Sequence, residues 1–197
     1  MSQMHQSWSS SFEYLLCGRN APCSPMNTFI LRYSVFSPME LKEQLTSVPG
    51  MLRPFKKYLM ESGLMDGDQV VFYGCPGTCT PFIELLGFAV RDLPFELVFV
   101  PFIDESKAKI IRPVPDVGMQ VSDEAPTLRP KVVVIMGGLS MPNMPVSAEM
   151  VNDLISGYKA KIVGVSFMEM FKKAGWSEEI EFDLLIDATI DPVSVWA

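Results

Sequence analysis

Four apolar runs, VVFY at 70–73, LVFV at 97–100, VVVIM at 132–136 and IVGV at 162–165, lack the polar–apolar alternation of a strand with one face in water. A strand that is apolar on both sides must be covered on both sides. Helices crossing between parallel strands do this, and isolated hairpins do not. Helical patterns stand between the runs. Residues 81–91 put Phe82, Leu85, Leu86 and Ala89 on one side, and Ser147 caps a pattern with Met150, Val151, Leu154 and Ile155 inward. Residues 168–174 read as a short helix, and 184–186 as the last strand. The pattern predicts a three-layer, doubly wound α/β domain with a mainly parallel sheet, Rossmann-like or flavodoxin-like. Alternation fixes this architecture but not the strand order.

Ahead of the first run, Ser37-Pro38-Met39-Glu40 has the signature of a helix start: a cap, a proline at the first position and a carboxylate at the third. A second helix follows Pro49-Gly50, with Met51, Leu52, Phe55, Tyr58 and Leu59 on one face; Pro54 fits it in the first turn. The folded α/β domain is expected over 37–197. Residues 1–36, serine-rich and without sustained period, read as a poorly ordered leader or a mis-assigned start. Residues 102–128, rich in proline and charge, read as an irregular insertion with a short strand near 110–114.

Composition excludes several function classes. A net charge of −7 over 197 residues argues against nucleic acid as a partner, since phosphate contacts need clustered Lys and Arg. No apolar stretch reaches bilayer length, so no membrane partner is expected. The chain has no signal-peptide pattern, and its four cysteines are sparse, which together imply reduced thiols and a cytoplasmic location. The one histidine, His5, lies in the leader, so Ser-His-Asp triads, Cys-His pairs and histidine metal sites are not expected in the domain.

In doubly wound sheets, ligands bind beyond the carboxyl ends of the strands, where the strand order reverses. Reading those ends yields the candidate site. The first strand ends in Gly74-Cys75-Pro76-Gly77-Thr78-Cys79-Thr80, which fits neither the phosphate-loop nor the dinucleotide-loop glycine pattern. It is a Gly/Pro-shaped turn opening a helix, with Thr80 as the expected cap and Pro81 at the first helical position. Free N–H groups around Gly77, Thr78 and Thr80 suit an anion. Cys79, just before the helix, is the candidate nucleophile, because the helix dipole favours a thiolate; Cys75 would be its resolving partner. Gly137, Gly138 and Ser140 form a second ligand-facing loop, and Asp187 closes the list from the last strand. The alternatives for these residues are a ligand-free corner and, for Asp187, local backbone bonding. No metal site is expected, and no cofactor is indicated.

The stretches VPGMLRPFKKYL, GCPGTCTPFIELLGFAVRD, GMQV, MGGLSMP, VGVSFMEMFKKAGW and IDATIDPV, in this order between residues 39 and 195, resemble an uncharacterised archaeal family, domain of unknown function 2124. The resemblance implies an archaeal, methanogen-type protein of Rossmann-like fold whose relatives begin near Met39. It implies no catalytic residues. Three functional readings stand: a binder of a small anionic or nucleotide-like ligand, with or without catalysis; a thiol protein using Cys79 and Cys75; and a non-catalytic interaction protein such as a homodimer.

Overall fold

The computed structural model describes residues 39–197; the leader and the expected start at Ser37 and Pro38 lie outside the described residues. The elements are α1 (Ser47–Glu61), β1 (Gln69–Gly74), α2 (Thr80–Ala89), β2 (Glu96–Pro101), β3 (Lys109–Val114), β4 (Gly118–Val121), β5 (Pro130–Met136), α3 (Ala148–Ser156), β6 (Lys161–Phe167), α4 (Met170–Lys173), α5 (Trp176–Glu179) and β7 (Leu184–Ala188). All seven strands join one sheet in the order β4-β3-β2-β1-β5-β6-β7. The five strands from β2 through β1, β5 and β6 to β7 run parallel.

The apolar runs are covered as their composition requires. On one face Val70 and Phe72 of β1 and Val132, Val134 and Met136 of β5 pack with Phe55 and Leu59 of α1 and Ile83 and Leu86 of α2. On the other, Val71, Tyr73, Val133 and Ile135 pack with Val151 of α3, Phe171 of α4 and Trp176 of α5. Every residue of β1 is buried. A central parallel strand of this kind leaves no polar face, which is why the periodicity vanishes from its sequence.

Several local expectations are corrected. Residues 39–46 form no helix. The capping pattern is present, but Met39 and Leu41 are exposed, so no buried face supports the first turn. The first helix starts at Ser47, and Pro54 sits inside it rather than in its first turn; burial of Met51, Phe55 and Leu59 holds the helix despite the lost hydrogen bond. Met150 faces solvent, since α3 turns only Ala148 and Val151 fully inward. The 102–128 insertion is more regular than expected. After a single 3-10 turn, Glu105–Lys107, the chain forms β3 antiparallel to β2 and β4 antiparallel to β3, extending the sheet. Residues 168–174 hold a shorter helix, α4, and α5 was not anticipated.

Candidate functional site at the carboxyl edge of the sheet

From β1 the chain crosses through α2 to β2 on one side, then returns past β1 to β5, β6 and β7 on the other. The order reverses between β1 and β5, so the turn after β1 and the loop after β5 meet at the switch point. Sequence reasoning singled out these two segments and expected them to share a pocket; they are neighbours, but Gly138 packs directly against the turn after β1 rather than lining a cavity.

The β1 turn is built around Cys79. Its N–H donates to the Cys75 carbonyl at 3.1 Å, and its carbonyl accepts from Phe82 at 3.1 Å and Ile83 at 3.0 Å. Cys79 is therefore the N-cap residue of α2, and Pro81 is its second helical residue. Thr80, the expected cap, instead accepts the Gly77 N–H on its hydroxyl at 3.3 Å, shaping the tip of the turn. Gly77 adopts φ +81, a conformation that favours glycine. Pro76, Gly77 and Thr78 are exposed. The N–H groups of Thr78 and Thr80 have no hydrogen-bond acceptor among the described residues.

Beneath this tip lie both thiols, each 3% exposed, with their sulfurs 3.0 Å apart. Gly138 closes over them. A Cβ there would lie 2.6 Å from the Cys75 sulfur and closer still to that of Cys79. Gly137 is pressed as tightly on β6, where a Cβ would meet Ser166 Cβ at 2.6 Å and Ser166 Cα at 2.9 Å. The two glycines thus serve close packing between loops, not ligand space. Ser140 is turned inward on its own loop, its hydroxyl donating to the Gly137 carbonyl at 2.8 Å.

The expectation of an activated Cys79 thiolate is corrected. Burial is the first cause and the Cys75 thiol beside it the second; together they push the Cys79 thiol up to about 12, against the smaller opposing effect of the Cys75 and Gly138 backbone. The dipole argument overlooked desolvation, which here wins.

Asp187 does not face the β1 turn as a free carboxylate. It accepts the hydroxyl of Ser166, itself 1% exposed, and both of its oxygens take the Glu169 N–H at 3.1 Å. Met168 (φ 55) and Glu169 (φ 59) both take left-handed backbone conformations here. The local-bonding reading of Asp187 is the observed one. Between the two turns, Phe82 of α2 packs on Phe167 of β6 with ring centroids 4.3 Å apart, both rings half-buried.

Sequence reasoning missed a second polar cluster, on the other face of the sheet. Tyr73 and Tyr158 each donate to Oε1 of Glu105 at 2.7 Å. Burial raises the Tyr73 phenol far above its usual range, and Glu105 adds to this; the same two causes raise Tyr158 to about 12. Both stay neutral donors that pin the Glu105–Lys107 turn to β1. Three residues so far apart in sequence carry no spacing signal that could have revealed them. Two open clefts, of about 490 and 390 Å³, lie at the opposite, amino edge of the sheet, near Lys161 and Asp183. Among the described residues no group of three or more His, Cys, Asp or Glu could hold a metal, and no helix is long and apolar enough to cross a membrane.

The comparisons agree with this architecture. The chain is 37% identical over 153 residues to an uncharacterized protein of Methanocaldococcus jannaschii, covering 77% of this chain and 91% of the relative. It is 35% identical over 144 residues to an uncharacterized protein of Methanothermobacter thermautotrophicus, covering 71% and 92%. A crystal structure of a protein of unknown function from Methanothermobacter thermautotrophicus superimposes with a TM-score of 0.71 at 31% identity, covering 81% of this chain and 99% of that one. The model of a family described as an uncharacterized protein conserved in archaea matches residues 46–191, and the chain belongs to that family, domain of unknown function 2124.

Proposed function

We propose that the protein binds a small anionic ligand of nucleotide-like type, with the anion seated on the Gly77–Thr80 turn. The observation that carries this reading is the turn's position. It opens α2 at the point where the strand order reverses, and its Thr78 and Thr80 N–H groups have no acceptor among the described residues. Gly77 and the Thr80 hydroxyl hold the tip in shape. The half-buried Phe82–Phe167 pair and exposed Met168 offer apolar surface at the same edge for the rest of such a ligand. Gly137 and Gly138 serve as packing elements rather than ligand contacts, and the ligand lies on the turn rather than between the two loops.

The test is a thermal-shift screen of inorganic phosphate, nucleotides and phosphorylated metabolites. A ligand at one hundred times its Kd stabilises the native state by about 2.7 kcal/mol. The shift should shrink in a Thr78→Ala/Thr80→Ala variant, which loses the hydroxyl that shapes the turn. No shift with any of these compounds, or an equal shift in the variant, contradicts the reading.

A further inference from the structure

The two thiols under the turn are arranged for more than packing. They face one another at 3.0 Å in a region that is otherwise apolar, and Gly138 leaves them room only because it has no side chain. The Cys79 N–H to Cys75 carbonyl bond already fixes the backbone in a closed turn, so bonding the sulfurs requires a contraction of about 1 Å, to the usual length near 2.05 Å. The short ring so closed would contain only Pro76, Gly77 and Thr78, the exposed tip. A ring this small removes little chain entropy, so the bond would contribute less to global stability than to the shape of that tip.

We infer that Cys75 and Cys79 form a reversible disulfide that acts as a redox latch on the 75–80 turn. The oxidant is a low-molecular-weight disulfide, R–S–S–R. One protein thiol gives up its proton and attacks a sulfur of R–S–S–R; a protein–S–S–R bond forms, and the departing RS⁻ takes the proton. The second protein thiol then loses its proton and attacks the protein sulfur of that mixed disulfide, and the second RS⁻ leaves as RSH. Overall, two protein S–H bonds and one R–S–S–R bond are exchanged for one protein S–S bond and two RSH, with two electrons passing to the oxidant. Because both thiols are buried, exchange proceeds through openings of the turn and is slow. Any effect of the latch on ligand affinity rests on the anion-binding reading above; the bond itself does not.

The full chain carrying Cys17→Ser/Cys23→Ser, so that only this pair remains, is held in mixtures of oxidised and reduced dithiothreitol until its mass stops changing. It is then acid-quenched, alkylated and measured intact. The expected result is the loss of two hydrogens and of both alkylation sites in the oxidising mixtures, full reversal in the reducing ones, and one cross-linked peptide joining Cys75 and Cys79. Cys79→Ala and Cys75→Ala variants should show neither change. Two thiols that stay fully alkylatable in the denatured quench after the most oxidising mixture, in protein that is folded by circular dichroism, would overturn the latch. A latch that forms while phosphate and nucleotides give no thermal shift in either redox state upholds the disulfide and counts only against the ligand.

Discussion

Two turns leave the carboxyl edge of this sheet with N–H groups that need an acceptor, and they meet that need differently. After β6, the Glu169 N–H is taken by the Asp187 carboxylate, which also accepts the buried Ser166 hydroxyl. After β1, Thr78 and Thr80 N–H groups have no acceptor among the described residues, and the space behind them is filled by thiols rather than a carboxylate. The β6 turn carries its own anion, whereas the fold supplies none to the Thr78 and Thr80 N–H groups of the β1 turn. A carboxylate at the end of a strand is therefore not evidence of a site until its partners are counted. In this protein the partners of Asp187 are all within the fold.

The strongest way to break this comparison is through the glycine packed on the β6 side of it. Gly137→Ala drives a Cβ into the Ser166 backbone, which cannot swing aside as a side-chain end can. Overpacking of this kind costs about 1–3 kcal/mol, and a loss at or above the top of that range is expected in urea unfolding. Asp187→Ala comes next. It leaves the Ser166 hydroxyl and the Glu169 N–H without their acceptor and should cost about 1–3 kcal/mol by the same measurement. If Asp187→Ala proved neutral, the β6 turn would not be anchored by its own carboxylate.

The third prediction concerns pH at the β1 turn. Folding raises the Cys79 thiol from an ordinary 9.0 to about 12, so the unfolded chain loses this proton first as pH rises. The associated stability is fully present below pH 9 and is lost between 9 and about 12. Tyr158, raised from 10.0 to about 12, and Tyr73, raised further, act in the same sense from pH 10 upward, so the contributions must be separated by difference. Cys79→Ala should flatten the alkaline fall of stability beginning at pH 9, and Tyr158→Phe only the part above 10. Parallel curves for wild type and Cys79→Ala would contradict the burial of that thiol. The smallest effect is expected for Thr78→Ala/Thr80→Ala, within about 0.5 kcal/mol of wild type without ligand, because the exposed tip contributes little to the core.

The sequence carried the architecture because continuous burial on both faces of β1, β5 and β6 leaves a composition that few other arrangements tolerate. It carried the location of both switch-point loops for the same reason: apolar runs end where glycines begin. It did not carry Thr80's role, since Cys79 and Thr80 are adjacent and only the Cys79 carbonyl's two hydrogen bonds show which residue caps α2. Nor did it carry the thiol's protonation. Helix position is visible in one dimension, but burial under Gly138 is a contact across 59 positions of chain, the separation of Cys79 from Gly138. The failed helix at 39–46 teaches the converse. Its capping pattern is present in the sequence, but residues 39–46 are all exposed, so burial does not support a helix there.

Amide proton–nitrogen correlation NMR during a titration with inorganic phosphate and then with a nucleoside monophosphate tests the central claim most directly. The account predicts saturable movement of the Thr78 and Thr80 amide signals while that of Glu169, already bonded to Asp187, stays in place. Unmoved signals at Thr78 and Thr80, or an equal response at Glu169, would contradict it.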